Sequence, residues 1–562
     1  MTSDLWTLLR RASAVASPRR HRGTLGALLK GVTLADAADR LATVRGDDVA
    51  VTLGQPIDAG GGTVWTYADL GRFVQRACAA LRARGVTPGH RVVICTSNGL
   101  DMPLYCLAAA RAGAVAIPLN HKLSADELRY ILDDSGARAC VIDAAVYGRV
   151  VARDAARFDG IVFHLAARPG KCEVPGPTLW QTMDTATVGA PFKPDPDDVA
   201  AIFYTSGTTG FPKGAMLTGR GLLSRFVPLL ARPVFVPRTL LCALPMAHIM
   251  GFVTLLASLF SGTHVVYLAR FRADEVTRWL ASGRVDAFLG VPSMYQMLEE
   301  AGALERDLTA VRVFASAADV MPGELMGRFK DAGRLIKLPG GRGVPALFVE
   351  AYGSVELSGA AMLRVSPPFL SPAQGGFVGW PLPGYSVRIV DEHGEEAARG
   401  QVGELMITGP GVLHGYHGRE EATRDTIRDG WLRTGDLASR GRARTVQFVG
   451  RHKDVIKSGG YSVFPAEIET KLLQHPAVSK AAVVGVAHAT KRSVPVAVVC
   501  LEPGSELAAE ELRDWISERV ARYKAPHAMY IIGEDEMPYG ATGKILKRQL
   551  AERFQQVSTD QA

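Results

Sequence analysis

The feature that most constrains the fold is an alternation of apolar, β-branched runs with amphipathic helical stretches along the first half of the chain. Helical patterns such as 68–84 and 273–282 separate short apolar runs at 91–95, 114–118, 139–143 and 263–268. Strands that are buried on both faces and joined through helices are typical of parallel sheets. We therefore predict an α/β fold whose large N-terminal part contains stacked, mostly parallel sheets flanked by helices.

The residue composition changes near Gly375, where many glycines and prolines separate short predicted strands such as 386–390 and 403–407. A compact segment of mixed character follows Arg451, with helices predicted at 465–474 and 508–522 and strands at 481–486 and 494–501. We predict a domain boundary between Arg451 and Asp454, and a small α+β domain after it.

The positive charge of the chain is concentrated at its N-terminus. The formal net charge is +8, yet residues 1–30 alone hold six Lys and Arg residues against Asp4. The remaining body is near neutral, which argues against a nucleic-acid-binding surface. Leu5, Leu8 and Leu9 share one helix face, so this arm is either a docked helix with solvated charges or a peripheral membrane contact.

Two further patterns bear on location. The longest apolar run, 249–260, has about twelve residues, whereas a helix that spans a bilayer needs roughly twenty. It predicts a core helix. The seven cysteines are scattered and form no CxxC pair, which is typical of buried free thiols in a reducing cytoplasm. We therefore predict a cytoplasmic protein, with peripheral membrane association as the alternative.

One segment, Tyr204–Ala215, carries the strongest chemical signal. An apolar strand, 199–203, leads directly into it. It contains hydroxyl residues and glycines followed by a lysine. They are Thr205, Ser206, Gly207, Thr208, Thr209 and Gly210, and the lysine is Lys213. Glycines let a backbone approach an anion closely, and hydroxyls, amides and an ammonium group bind phosphate oxygens. The spacing differs from that of a Walker A loop, and Gly214 replaces its metal-binding hydroxyl residue. We interpret the segment as a polyphosphate-binding loop.

Four later segments follow this loop in a recognisable order. They are Tyr352–Glu356, Gly430–Ala438, Gly450–Gly460 and Pro538–Lys547. Together with the phosphate loop they resemble the motifs of the adenylate-forming, or AMP-binding, superfamily, which includes acyl-CoA synthetases. The resemblance extends from about residue 50 to residue 550. It implies a large adenylation domain with a β-barrel-like subdomain and a small, mobile C-terminal domain.

The resemblance assigns residue roles in nucleotide binding. It implies that ATP contacts the phosphate loop, Ala317, Tyr352, Gly353, Asp436 and Arg451. Glu356 is implied as the Mg²⁺ ligand, a role that suits a hard carboxylate oxygen. Asp436 is implied as acceptor for the ribose hydroxyls. Val355 departs from the family, which commonly has threonine there, and 316–320 replaces a segment that is usually richer in glycine.

The resemblance also implies that the small domain acts in two steps, adenylation and transfer to coenzyme A. Lys544 is implied as the lysine that bridges carboxylate and α-phosphate during adenylation. Lys453 is implied as the hinge, and rotation about it would present Lys457, Gly459 and Gly460 to coenzyme A. The predicted division is therefore a basic arm at 1–45, an adenylation domain at 46–452 and a mobile domain at 453–562.

His248 lies in a Pro-x-x-His element that resembles one beside the family's acyl site, and we expect it to take part in substrate binding or gating. The catalytic set is thus predicted as Thr205, His248, Glu356, Lys457 and Lys544. We expect the acyl pocket to use the helix that contains Phe252, together with 290–295 and 315–320. Small apolar residues there favour an apolar acyl chain.

The predicted function is that of an ATP-dependent acyl-CoA synthetase. A carboxylic acid, first a medium- or long-chain fatty acid, would be activated as acyl-AMP with release of pyrophosphate and then transferred to coenzyme A. One alternative is an acyl-AMP ligase that serves an acyl carrier protein, and another is an aryl or alicyclic acid–CoA ligase. A non-catalytic adenylate-binding scaffold is the alternative from a different class. The joint presence of Glu356, Asp436 and Lys544 argues against it.

Overall fold

The protein is described here by a computed structural model. The structure describes residues 31–54, 63–166, 178–205, 212–224, 237–338, 343–366, 368, 377–441, 445–458, 461–488, 492–539 and 545–559. The chain forms two compact units that are interleaved in sequence. The first contains residues 1–372, 381–386 and 408–432, and the second contains 373–380, 387–407 and 433–562.

The strands are numbered in chain order. Those before residue 367 are β1 Val49–Leu53, β2 Val64–Thr66, β3 Arg91–Cys95, β4 Val115–Pro118, β5 Ala139–Ile142, β6 Val162–Leu165, β7 Val199–Thr205, β8 Lys213–Thr218, β9 Thr239–Cys242, β10 His264–Tyr267, β11 Ala287–Gly290, β12 Val313–Ala317, β13 Arg334–Lys337, β14 Gly343–Pro345, β15 Leu347–Ser354 and β16 Gly359–Ser366. The later strands are β17 Phe377–Pro381, β18 Ser386–Val390, β19 Val402–Thr408, β20 Gly415–Tyr416, β21 Ile427–Arg428, β22 Trp431–Arg440, β23 Val446–Arg451, β24 Ile456–Ser458, β25 Tyr461–Val463, β26 Val478–His488, β27 Arg492–Leu501 and β28 Ala528–Ile531.

The α-helices are numbered in the same way. They are α1 Ala37–Arg45, α2 Tyr67–Ala83, α3 Asp101–Ala112, α4 Ala125–Ser135, α5 Ala144–Val146, α6 Leu179–Thr185, α7 Gly219–Leu223, α8 Ile249–Ser261, α9 Ala273–Ala281, α10 Pro292–Glu300, α11 Gly323–Ala332, α12 Glu420–Thr426, α13 Pro465–Leu472, α14 Ala509–Ser517 and α15 Lys547–Thr559.

Two large sheets organise the first unit. One has the strand order β20–β8–β7–β4–β3–β5–β6, and its strands from β7 to β6 run parallel. The other contains β16–β15–β12–β11–β9–β10–β1–β2, parallel from β15 to β1 with antiparallel strands at both ends. The predicted α/β class with mostly parallel sheets is confirmed.

The local sequence explains why these elements form where they do. Strands β3, β4 and β5 are almost wholly buried, as expected for parallel strands with cover on both faces. Helices α2 and α4 both begin at capping boxes, formed by Thr66 with Asp69 and by Ser124 with Glu127. The apolar run 249–260 becomes helix α8, which is buried on nearly every side and is thus the predicted core helix.

The second unit is built from antiparallel strands and a small mixed sheet. Its first group follows the order β18–β19–β22–β23–β17 and does not close into a barrel within the described residues. The other sheet has the order β25–β24–β27–β26, with β28 parallel to β27. Residues alternate along β26 between two hydrophobic clusters, one lined by Val483 and the other by Val484. Helix α14 ends at Ser517, five residues before the predicted end.

The remaining predictions concern location and domain division. Among the described residues, no helix is long and apolar enough to cross a bilayer. Six cysteines are free and buried, and Cys172 lies outside the described residues, as does the N-terminal arm 1–30. The division at Lys453 stays a prediction, because the two compact units are interleaved along the chain and do not test it.

Candidate functional site

The two strands that flank the predicted phosphate loop lie side by side. Thr205 at the end of β7 pairs with Lys213 at the start of β8, and its hydroxyl donates to the Lys213 carbonyl over 3.5 Å. The backbone is tight here, because a Cβ on Gly214 would lie 2.8 Å from Ile202. Ser206, Gly207, Thr208, Thr209 and Gly210 lie outside the described residues.

A buried carboxylate and a tyrosine, both on α4, hold the two ends of this loop. The Asp134 side chain is 8% exposed and accepts hydrogen bonds from the Tyr204 hydroxyl at 2.8 Å and from Arg419 at 2.7 Å. Tyr130, one turn earlier on α4, donates to the Pro212 carbonyl at 3.1 Å. Burial and the neighbouring Asp134 raise the pKa of the Tyr204 hydroxyl, so it stays protonated as a donor.

Glu356 lies in a short helical turn after β15 and is half-buried. Its carbonyl accepts from the Leu413 amide at 2.8 Å, and its Oε1 accepts from the Tyr416 hydroxyl at 3.0 Å. Within the part of the chain that the structure describes, the other oxygen, Oε2, accepts no hydrogen bond. Among the described residues, Glu356 therefore has one carboxylate oxygen held by a hydrogen bond and one that accepts none.

A single carboxylate fits a Mg²⁺ ion that takes most of its ligands from other molecules. Mg²⁺ usually takes one or two carboxylates from the protein and completes its shell with phosphate oxygens and water. No cluster of three or more His, Cys, Asp or Glu side chains able to hold a metal occurs among the described residues. Glu356 suits a Mg²⁺ ion that arrives with a polyphosphate, rather than one held by the protein alone.

The predicted nucleotide residues of the first unit are neighbours on two strands. Ala317 of β12 pairs with Ala351 of β15, directly before Tyr352. A Cβ on Gly353 would lie 1.9 Å from the carbonyl oxygen of Gly359, so only glycine fits there. The structure thus brings Ala317, Tyr352 and Gly353 to the same end of the sheet.

The predicted nucleotide residues of the second unit also form a pair. Asp436 of β22 lies opposite Arg451 of β23, and the Arg451 Nε is 3.4 Å from the Asp436 Oδ1. Asp436 is 9% exposed, whereas Arg451 is exposed. The Asp436 amide donates to the Thr434 hydroxyl oxygen at 3.1 Å, which shapes the turn before it.

The predicted small-domain residues are described in part. Lys453 is exposed in the turn 452–454, and Lys457 is exposed on β24, opposite Ser462 of β25. The Ser493 hydroxyl donates to the Lys457 carbonyl at 2.9 Å and fixes that edge of the sheet. Gly459, Gly460 and Lys544 lie outside the described residues.

His248 caps the N-terminus of α8. Its Nδ1 accepts from the Met250 amide at 3.3 Å, so the neutral ring carries its proton on Nε2. The helix brings Phe252 against Phe203, with ring centroids 5.7 Å apart. Phe252 is buried there and contributes to the core rather than to an open pocket wall.

A half-buried apolar strip lies on the opposite face of the sheet from the aromatic core. Phe288, Phe314 and Phe348 face that core on adjacent strands. Successive side chains on a strand point to opposite faces of the sheet. The residues next to these phenylalanines in sequence therefore lie on the other face and are partly accessible: Leu289, Ala315, Ala317, Val349 and Ala351. Tyr295, expected in the acyl pocket, instead lies in the core and donates to the Ala315 carbonyl at 2.8 Å.

The second unit contains a cavity of about 380 Å³ beside the Lys457 segment. Polar and basic residues of its lining are Ser458, Arg513, Ser517, Arg522 and His527. Among the described residues, neither Arg513 nor Arg522 forms an ion pair. The cavity therefore presents unpaired positive charge close to the segment predicted to meet the thiol.

Two residues of this constellation, Asp134 and Tyr416, were not found from the sequence. A helix aspartate and a tyrosine beside a turn are common residue types at such positions. Their partners Tyr204 and Glu356 are distant along the chain. The Gly415-Tyr416 pair beside a charged helix start was the only local signal.

The comparisons with known proteins agree with this geometry. Residues 38–417 match the AMP-binding enzyme family, and residues 467–544 match the AMP-binding enzyme C-terminal domain. A feruloyl-CoA synthase from Amycolatopsis sp is 34% identical over 88% of this chain and 95% of its own length. The long-chain-fatty-acid–CoA ligase FadD13 of Mycobacterium tuberculosis is 30% identical over 87% and 93%.

A solved structure extends the likeness to three dimensions. ATP-bound MatB from Rhodopseudomonas palustris superposes with a TM-score of 0.81 at 28% identity, and the match covers 94% of this chain and 100% of that one. The chain belongs to the AMP-binding enzyme family. The predicted class, an AMP-forming acid–thiol ligase of a family that uses ATP, Mg²⁺ and coenzyme A, is confirmed.

Proposed function

We propose that the protein joins a carboxylic acid with an apolar body to coenzyme A through an acyl-AMP intermediate. The observation that carries this proposal is the juxtaposition in the first unit of the phosphate-loop strands and Glu356. Lys213 and Glu356 both contact Tyr416, so a polyphosphate-binding cation and a metal-binding carboxylate share one support. Such an arrangement serves attack on a phosphate that must be neutralised first.

The roles in adenylation follow from charge. Two anions, the substrate carboxylate and the α-phosphate, must meet, and the barrier falls when cations neutralise them and hold them in line. Lys213 and the loop hydroxyls would bind the phosphates, and Glu356 would hold Mg²⁺, which supplies additional positive charge when bound. Asp436 would orient the ribose, and Lys544 would neutralise the reacting carboxylate and α-phosphate.

The apolar strip supports an acid whose body carries no charge. Its floor is formed by alanines at 315, 317 and 351, with Leu289 and Val349 at the sides. We keep a medium- or long-chain fatty acid as the first candidate substrate, and the FadD13 relative supports it. An aryl acid is the second candidate, favoured by the feruloyl-CoA synthase relative.

The cavity beside Lys457 supports free coenzyme A as the acceptor. Coenzyme A carries three phosphate groups on its nucleotide end, and two unpaired arginines suit them. A carrier protein presents the same pantetheine arm with a single phosphodiester. The N-terminal arm remains the candidate for a peripheral membrane contact, and its positive charge and its leucine face support that role.

The experiment is pyrophosphate release with a panel of acids, from butyrate to palmitate and including ferulate, 4-coumarate and benzoate. Each acid is assayed with coenzyme A and, separately, with a holo acyl carrier protein. We expect an apolar acid to give turnover with free coenzyme A, and Lys544→Ala to provide the background rate. Release that depends only on the carrier protein would replace this proposal by its acyl-AMP ligase alternative. No release with any acid would contradict both.

A further inference from the structure

Tyr416 lies where the exit of the phosphate loop and the Glu356 segment of the first unit meet. It belongs to the two-residue strand β20, which pairs with β8 so that Tyr416 faces Ala215. The His417 amide donates to the Gly214 carbonyl at 2.8 Å, and the Leu413 amide donates to the Glu356 carbonyl at 2.8 Å. The segment 413–417 therefore joins the exit of the phosphate loop to the backbone of the predicted metal ligand.

The Tyr416 side chain repeats this connection. Its hydroxyl donates to Glu356 Oε1 at 3.0 Å. Its ring lies below the Lys213 ammonium, with Nζ 5.6 Å from the ring centroid. A cation over an aromatic face is attracted to it, so the ring also restrains the phosphate-binding lysine.

The hydrogen bond decides which way the Glu356 carboxylate points. A glutamate side chain has three rotatable bonds, and an unrestrained carboxylate would sample many orientations. With Oε1 held by Tyr416, the orientation of the group is restricted, and no described residue donates to Oε2. Groups that hold a metal ligand in this way typically change metal affinity 10–100-fold when they are removed.

We propose that Tyr416 is a positioning residue that holds Glu356 Oε1 and thereby presents Oε2 to the Mg²⁺ that accompanies ATP. The inference rests on the proposed function, in which Glu356 is the metal ligand. It adds a residue 60 positions away from that ligand in the sequence. In this role the effect of Tyr416 on the metal passes through Glu356, to which its hydroxyl donates.

The test measures metal binding without turnover. Mn²⁺ replaces Mg²⁺, and its free concentration is followed by electron paramagnetic resonance in the presence of α,β-methylene-ATP, which cannot be cleaved at the reacting bond. The variants are Tyr416→Phe, Glu356→Gln and the double variant. Phenylalanine keeps the ring below Lys213 and removes only the hydroxyl. Tyr67→Phe is the matched control, because it removes another buried hydroxyl bond, to the Leu259 carbonyl, far from these motifs in sequence.

We expect Tyr416→Phe to weaken Mn²⁺ binding roughly ten-fold. We also expect Glu356→Gln to weaken it at least as much, and the double variant to match Glu356→Gln, because the effects of residues that act in series do not add. Tyr67→Phe should bind Mn²⁺ like the wild type. Thermal unfolding of each variant shows that the fold is retained.

Three results would overturn the inference. Unchanged binding in Tyr416→Phe with weakened binding in Glu356→Gln would remove the role of Tyr416 and leave that of Glu356. A further loss from Tyr416→Phe in the Glu356→Gln background would show that Tyr416 acts through another group. Unchanged binding in Glu356→Gln would refute Glu356 as metal ligand and, with it, the inference.

Discussion

Glu350 is the residue whose environment is most unusual for its type. It pairs with Ser316 on one side and with Arg364 on the other, in a buried row across β12, β15 and β16. Arg364 lies 2.9 Å away as an ion pair. Burial nevertheless raises the pKa of Glu350 to about 7, and Arg364 and the Met321 amide oppose that rise only in part. The row lies two residues before Tyr352, at the base of the predicted nucleotide segment.

This shift predicts a pH-dependent stability. The folded-state pKa of Glu350 lies above its ordinary value of 4.5. The contribution of its protonated form to the stability of the fold is therefore complete below pH 4.5 and is lost as the pH rises towards 7. Glutamine imitates the protonated form and lacks the titration. We expect the free energy of unfolding of the wild type, relative to Glu350→Gln, to fall by up to about 3 kcal/mol between pH 4.5 and 7.

Denaturant unfolding at a series of pH values gives this difference. Glu300→Gln, on the exposed side of α10, is the control for loss of a carboxylate as such. A difference between wild type and Glu350→Gln that stays constant across this pH range would show that Glu350 remains ionised in the fold.

The backbone also departs from ordinary geometry near this row. Ala318, in the segment that is poor in glycine, adopts φ = 75°. A residue with a Cβ in the left-handed region is strained by roughly 1–2 kcal/mol relative to its usual conformations. The chain therefore keeps the glycine-type turn that the resemblance implies, although the sequence shows no glycine there.

At the scale of elements, helix α8 positions His248 through a close contact at its first turn. A Cβ on Gly251 would lie 2.2 Å from the Pro245 carbonyl oxygen. The preceding segment is held from the other side, since the Met246 amide donates to Asn98 Oδ1 at 2.8 Å. Gly251 is therefore required for the Pro245–His248 turn to pack on the helix that it starts.

Gly251→Ala is expected to lower stability by about 1–3 kcal/mol, because the added methyl group forces the backbone apart. It should also raise the KM for the acid more than the KM for ATP, because the displaced turn carries His248. Thermal unfolding and steady-state kinetics measure the two effects. Gly148→Ala, where a Cβ meets no atom within 4 Å, is the matched control. Wild-type stability of Gly251→Ala would mean that the turn yields without strain.

Much of the fold could be predicted from local pattern. The apolar runs 91–95 and 139–143 became strands within one residue of their expected bounds, because burial on both faces leaves a continuous hydrophobic signature. Helix 508–522 ended early, at Ser517. Val520, in the predicted last turn, packs against the core from outside the helix, so an apolar residue at helical spacing did not mark where the helix ends.

The site could be predicted only where a motif is contiguous. Glu356 and Asp436 lie in short, specific segments, whereas Tyr416 acquires meaning only when β20 pairs with β8. For Tyr295 the sequence-based prediction was wrong. Its segment, 290–295, was expected to line the acyl pocket, but its ring packs in the core among Phe288, Phe329 and Phe348. Side-chain direction on a strand end or a helix start depends on packing, which a single sequence does not encode locally.

At the scale of the whole molecule, the proposed mechanism divides the work between two lysines of the small domain. Lys544 would complete the adenylation site, and Lys457 would face the arriving thiol in the second step. About 87 residues separate them. Lys457 is exposed on β24, beside the basic cavity. One fixed arrangement would serve only one of the two steps, so the account requires alternation of the small domain.

Single-turnover assays of each half-reaction, made with Lys544→Ala and Lys457→Ala, test this central claim most directly. Lys544→Ala should form acyl-AMP very slowly, yet convert pre-made acyl-AMP and coenzyme A to the thioester at nearly the wild-type rate. Lys457→Ala should form acyl-AMP at nearly the wild-type rate and then stall. Equal damage to both half-reactions in both variants would contradict the account, because it would mean that one arrangement of the domain performs both steps.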